Sequence, residues 1–357
     1  MVTRSRTELL VCACALAVAT FALVSRGAPA DTGVCTKVLR PGASGSAAQT
    51  LVDALAPGET GCLHAGAYRQ PELTVATPGI RLTSYPGERA TLVGRLRINA
   101  KGVTVDHLTL DGSNSRDLPS PTINADDVAF RDNDVSSPHS RSCFLLGGTT
   151  EVRRPIIDGN RIHNCGEHAN VWGSGIYMSN VRQARIAGNV IIDNSQRGIK
   201  VGPDSQGALI RDNVIDGNPL GLNFSGDDTH ASSNNRVERN VISNSTRWWN
   251  VQTYWPGPVG SGNLVRGNCV HGGNRDSYYD ENGGISESRG FTAERNIVAK
   301  PGYVDRKNFR LRKNSRCRRK YRSARRPGYT GPLVEVISDL RRLIEEAVVA
   351  LRNPGAR

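Results

Sequence analysis

The sequence predicts an all-β fold, a single-stranded solenoid of stacked parallel coils, and three observations carry that reading. A short phrase returns along the chain, NDV at Asn133, NRI at Asn160, NVI at Asn189, Asn213 and Asn240, NCV at Asn268 and NIV at Asn296, in steps of 24 to 29 residues. A repeat of this length is one supersecondary unit that cannot bury its apolar side alone, so its copies must stack. Within each copy the apolar residues lie two apart, as in Val190 with Ile192 and Ile199 with Val201, which is the period of a strand. Gly, Asn, Asp and Ser break these runs, as tight turns require.

In chain order, residues 1–30 predict a secretory signal. Arg4 and Arg6 precede an apolar run over 9–24, and Ala28-Pro29-Ala30 offers a small-residue cleavage pattern before Asp31. That run is too short and wrongly flanked for a membrane span, and no later segment is apolar for long enough. The expected location is therefore secreted, with wall association as an option. Residues 46–56 (SAAQTLVDALA), ending at Pro57-Gly58, predict an amphipathic helix that caps the open end of the solenoid. Coils begin at Gly66-Ala67-Tyr68 and at Gly79-Ile80-Arg81-Leu82, and the period places His107 in the Asn slot. About nine coils from Arg81, at ~4.8 Å each, give a rod of roughly 40 Å. Phe309-Arg310-Leu311 closes the repeats, so the β-domain is expected over 31–317 and a basic tail with a final helix over 318–357. Residues 333–351 put Val336, Ile337, Leu340, Leu343, Ile344, Ala347, Val348 and Leu351 on one helical face.

The formal charge of +13 is concentrated in one place, because residues 306–326 hold 12 Lys or Arg and no acid. Such a run reads as a solvated or wall-binding extension, and no nucleic-acid partner is expected of an exported protein. After the signal, six cysteines remain, an even count that favours disulfides in an oxidising compartment. Neighbour order suggests Cys35 with Cys62, Cys143 with Cys165 and Cys269 with Cys317, although six cysteines leave the connectivity open. No C-x-x-C pair indicates zinc.

The G-N-x-I-x-x-N phrases, the Gly-Ile strands (Gly175-Ile176, Gly198-Ile199, Gly284-Ile285), the helix before Pro57-Gly58 and the closing PGYVDRKNFRLRKNS resemble the right-handed parallel β-helix superfamily of pectate-lyase-like proteins. More narrowly, they resemble exported right-handed β-helix repeat proteins of actinobacteria. The resemblance implies the right-handed winding and covers residues 35–317. It is specific for fold and weak for reaction, since lyases, hydrolases, epimerases and inert surface proteins share the superfamily.

Candidate site residues follow from the strand alternation. With Ile176, Ile199, Leu222, Val251 and Ile285 in one inward column, Tyr177, Lys200, Asn223, Gln252 and Ser286 must point outward. Asp204 and Asp227 each lie five residues after their inward residue, so equivalent turns would present stacked carboxylates, with Asp228 and His230 beside them. Stacked carboxylates split acid and base roles or bind Ca²⁺. The alternative is that each aspartate hydrogen-bonds its own turn. Lys200 and Arg197 occupy the same coils. Elimination on a uronate needs a base for the proton beside the carboxylate and positive charge for the developing enolate. The resemblance implies that Lys or Arg beside bound calcium does this.

Trp172, Tyr177, Trp248, Trp249, Tyr254 and Trp255 would flank these turns, where amphipathic rings can stack on sugars or fill satellite cores under loops. Gly226-Asp227-Asp228 and Arg197-Gly198-Ile199-Lys200 faintly resemble polygalacturonase motifs, but in reversed order and with a longer Arg to Lys spacing. The leading expectation is a monomeric lyase or epimerase-like enzyme on uronate-containing polysaccharide. Lys200 is the base, Arg197 its electrostatic partner, and Asp204, Asp227 and Asp228 are the calcium ligands. Tyr177, Asn223, His230, Trp172, Trp248, Trp249, Tyr254 and Trp255 contact substrate. A non-catalytic carbohydrate-binding or wall-associated β-helix held by its basic tail is the alternative, and a glycoside hydrolase the third reading.

Overall fold

Successive coils of the chain stack their strands into three parallel ladders of a β-solenoid. In the computed structural model the described residues are 35–42, 45–166, 173–273, 282–286 and 289–319. The expected signal segment and the 333–351 helix lie outside them. One sheet has 11 strands, nine of them from Arg81 onward, in agreement with the coil count read from the repeats. The 17-stranded sheet contains the other two ladders, joined where long strands such as Ala90–Ile98 turn a corner.

Side chains alternate on every strand, and one residue per coil points inward to stack on its equivalent. In the first ladder Leu82, Val105, Phe130, Ile157, Ile186, Ile210, Val237 and Val265 are in register and fully buried. In the second, Leu110, Val135, Ile162, Ile191, Ile215, Ile242 and Val270 do the same. Each such burial contributes roughly 1.5–3 kcal/mol, and the column is continuous, so no coil is stable without its neighbours.

The repeating Asn is a structural element. From Asn133 to Asn268 each side-chain amide donates to the side-chain oxygen of the Asn on the next coil at 2.9–3.0 Å, ending on Asn296. The backbone N–H groups of the same residues donate to the same oxygens. A buried amide at a turn would otherwise strand its polar atoms, at a cost of about 1–3 kcal/mol each. His107 does not occupy this slot. The backbone N–H that reaches Asn133 Oδ1 belongs to Leu108, while His107 takes the left-handed φ of 55° that precedes each Asn, as Asp132 and Gly159 do. Two further amide contacts between coils, Asn194 to Asn218 and Asn235 to Asn263, line other corners.

Disulfides join Cys35 to Cys62, Cys143 to Cys165 and Cys269 to Cys317, as neighbour order suggested. The N-terminal helix is shorter than the sequence pattern, spanning Ala47–Asp53, with Ala48, Leu51 and Val52 buried in the core cluster. The start of the basic run is not a free extension. Phe309, Leu311 and Cys317 are buried against Val190, Ile192, Val214 and Val241, an apolar stripe on the outer side of the second ladder. Arg306 donates to Asp216 at 2.6 Å, and Arg161 donates to the carbonyl of Lys307. Residues 299–319 thus form a strap that covers the stripe and keeps Lys307, Arg310, Arg312, Lys313, Arg316 and Arg318 exposed.

Candidate active site

The outer side of the third ladder carries the candidate residues. Glycine sets its geometry at the bend that enters each strand. A Cβ on Gly198 would lie 2.7 Å from the carbonyl oxygen of Gly221, and one on Gly221 would lie 2.4 Å from that of Asn250. Only glycine lets successive coils approach so closely there. The inward column is Phe144, Ile176, Ile199, Leu222 and Val251, with Ile285 joined by an isolated bridge. Register then aligns Thr122, Leu145, Tyr177, Lys200, Asn223 and Gln252 on the outside.

That ladder is not a uniformly solvated face. Asn223 is 2% exposed and donates to the carbonyl of Phe224, so its amide belongs to the backbone rather than to an open subsite. Tyr177, Arg197 and Lys200 are half-buried, and the Lys200 ammonium stands 4.5 Å from the centre of the Tyr177 ring. Burial first, then the neighbouring charge of Arg197, pushes Lys200 down to about 8. Burial also pushes the Tyr177 phenol up, against the opposing effects of Ser179 and Arg197. The Arg197 guanidinium is itself lowered by burial. Two cations and a phenol that keeps its proton are therefore held together where the charged lysine is disfavoured.

The three aspartates do not form the stacked set that residue counting predicts. The register pairs Gln206 with Ser233, so Asp204 is level with Ala231 and not with Asp227. The coil after Asn223 is longer by the tight turn over 227–230, closed by the Asp227 N–H donating to the His230 carbonyl. Asp227 is occupied within that turn, accepting from the backbone N–H groups of Thr229 and His230 and from the Thr229 hydroxyl. Those bonds, led by that from the Thr229 backbone, hold its carboxyl below the ordinary range.

Asp204 accepts from Arg182 at 2.8 Å and from Gln206 at 3.1 Å. Burial works to raise it, but these two donors outweigh burial and leave it low. Asp228 is exposed. Among the described residues no three metal-ligating side chains converge, so these carboxylates do not fit calcium as a set. Asp227 serves its own turn and Asp204 an arginine.

The aromatic residues divide. Tyr254 is 64% exposed on the same ladder, beyond Lys200. Trp248 is half-buried under the Arg247 guanidinium, and Trp249 lies beside it. Trp255 packs on the core between Gly260 and Gly290 and donates its indole N–H to the carbonyl of Arg289, so it fills a loop rather than a groove. Trp172 lies outside the described residues. His230 is exposed, bonded to Thr229.

Arg182 was not foreseen from the sequence. It bridges Glu151 and Asp204, and the 24-residue step that puts Arg182 level with Gln206 would have found it.

The sequence matches the family described as periplasmic copper-binding protein (NosD) over residues 105–284. No curated protein sequence matches it. Among solved structures, an alginate lyase from Paenibacillus sp. str. FPU-7 has a TM-score of 0.54 at 15% identity, covering 74% of this chain and 95% of that one. The pectate lyase Pel9A follows with a TM-score of 0.49 at 14% identity, with 79% and 90% covered. A PL6 alginate lyase solved with a trisaccharide has 0.46 at 13%, with 68% and 62% covered. At these identities the likeness is one of fold.

Proposed function

The chain belongs to the NosD family of periplasmic copper-binding proteins, and from that premise we propose that this member is an exported lyase or epimerase-like enzyme acting on uronate-containing polysaccharide. The observation that carries the proposal is the cluster of Lys200, Arg197 and Tyr177 on one outer ladder, with Lys200 pushed down to about 8. An amine poised near neutral pH can accept a proton, which an ordinary lysine cannot do efficiently. The three disulfides support export. Polysaccharide-active structural neighbours support the substrate class.

In this reading neutral Lys200 takes the proton from the sugar carbon beside the carboxylate. Arg197 stabilises the charge that develops on that carboxylate. Tyr177 keeps its proton because its phenol is raised, and it gives that proton to the departing glycosidic oxygen. The C5–H and C4–O bonds break and a C4–C5 double bond forms. Return of a proton to the opposite face, without loss of the leaving group, would give epimerisation. A hydrolase is less well supported, because Asp204 and Asp227 are both held low, whereas a general acid needs a raised carboxyl.

The copper in the family description does not fit these residues. Copper favours thiolate, thioether or imidazole ligands. Here all six described cysteines are in disulfides, Met178 is buried in the core, and among the described residues no group of three ligating side chains forms. No step is drawn through it.

The test is ultraviolet absorbance of the new double bond with a panel of alginate, pectate and glycosaminoglycans. The expected result is a rise that Lys200→Ala abolishes and that a chelator leaves unchanged. Loss of activity on chelation, restored by calcium, would return the aspartates to the mechanism. No rise with any polymer, but retention on one of them that survives Lys200→Ala, would make the protein a binding module.

A further inference from the structure

We infer a second anion-binding site on the same outer ladder, three coils from Tyr177, that receives a distal carboxylate of the polysaccharide. The inference rests on the proposed uronate substrate and extends it. Glu72 accepts from three guanidinium groups, Arg95 at 3.0 Å, Arg97 at 3.0 Å and Arg116 at 2.8 Å. Three cations on one carboxylate leave two positive charges in excess. The Nε–H groups of Arg95 and Arg97 are buried, so an incoming anion would meet the guanidinium groups of Arg97 and Arg116, whose side chains are 34% and 65% exposed. Crowded like charges are costly unless a further anion is supplied. Arginine presents the planar donor fork that matches a carboxylate.

The placement connects this cluster to Lys200. Arg97 pairs in register with Thr122, Thr122 with Leu145, Leu145 with Tyr177 and Tyr177 with Lys200. At ~4.8 Å per rung, Arg97 lies ~14 Å from Tyr177 and ~19 Å from Lys200 along the solenoid axis. Arg95 and Arg97 share this outer side because Leu96 and Ile98 between and after them are buried. Arg116 reaches Glu72 from the loop over 112–121, and its side chain is 65% exposed. A polyuronate lying along the ladder would meet a cationic group at each end, with the part-exposed Leu145 between them and Thr122 buried beneath. Only chains long enough to bridge both ends would gain from the distal site.

The experiment uses the full chain carrying Lys200→Ala, which holds oligouronates uncleaved, and measures affinity against chain length from disaccharide to octasaccharide. The expected result is a step of about tenfold once the oligomer spans ~19 Å, removed by Arg116→Ala and by Arg97→Gln while the melting temperature of the Arg116→Ala protein is kept. A length step untouched by both variants, or no step at all, overturns the site. If Arg97→Gln fails to fold, Arg116→Ala alone decides, because it is exposed. Cleavage by the wild type without a length step removes the distal site and leaves the lyase reading intact. A length step without wild-type cleavage removes the lyase reading and leaves the distal site. Binding of no oligouronate at all overturns the inference.

Discussion

The outer sides of the second and third ladders are built from the same alternation and end in opposite states. On the second, the outward residues Val190, Ile192, Val214 and Val241 make an apolar stripe, and the chain returns to cover it with Phe309 and Leu311. A buried carboxylate there is fully served, since Asp216 accepts from Ser243, Asn244 and Arg306. On the third ladder, Tyr177, Arg197 and Lys200 crowd together, and Lys200 sits where its charge is disfavoured. A polar group that is buried and matched serves the fold. One that is buried against a like charge weakens the fold and is a candidate for chemistry.

The largest effect that would test this contrast is kinetic. Lys200→Ala should lower the elimination rate by about 10²–10⁴-fold, the usual worth of a positioned base, with no loss of melting temperature. The rate of the wild type should rise with pH through about 8 and level off above it, because only the neutral amine accepts a proton. A pH profile that is flat from 6 to 9 would remove Lys200 from the base role.

On the covered side the effect should appear in stability. Phe309→Ala empties a site that is 3% exposed, and a loss of about 3–5 kcal/mol in denaturant unfolding is expected. The specific activity of the folded fraction should be kept. Asp216→Ala, which strands the Ser243 and Asn244 donors, should cost less, about 1–3 kcal/mol. If either change abolished activity in protein that remains folded, the two faces would be coupled and the contrast between them lost.

The same contrast shows what a sequence discloses. Repeats of Asn, paired apolar residues and Gly-Ile strands state the solenoid directly, because burial and amide stacking recur on every coil. Tyr177, Lys200 and Asn223 could be aligned by eye for the same reason. Asp204 and Asp227 could not, because an inserted turn over 227–230 breaks the count between coils, and only the register of Gln206 with Ser233 reveals it. The strap was also hidden. Residues 306–319 read as solvated charge, while the three buried residues that decide their position, Phe309, Leu311 and Cys317, are scattered among arginines and pack on a stripe 68 to 127 residues earlier in sequence.

A stability effect no larger than that of Asp216→Ala separates the two faces most directly, because it has the opposite sign. Lys200 titrates at about 8 in the folded chain against an ordinary 10.5. Between these two values the unfolded chain binds more protons than the folded one, so this group's contribution to stability rises with pH from about 8 to about 10.5. Below about 8 the group opposes folding by up to roughly 3 kcal/mol, an upper bound because the side chain is only half-buried. Replacing Lys200 by Met keeps the aliphatic stem and removes the charge. The Lys200→Met protein should therefore be more stable than the wild type at pH 7, by about 1–3 kcal/mol, and inactive. The gain should shrink as the pH approaches 10. A gain in stability with loss of activity is the signature of a residue kept for chemistry, whereas a loss of stability at pH 7 would place Lys200 with Asp216 among the groups that hold the fold.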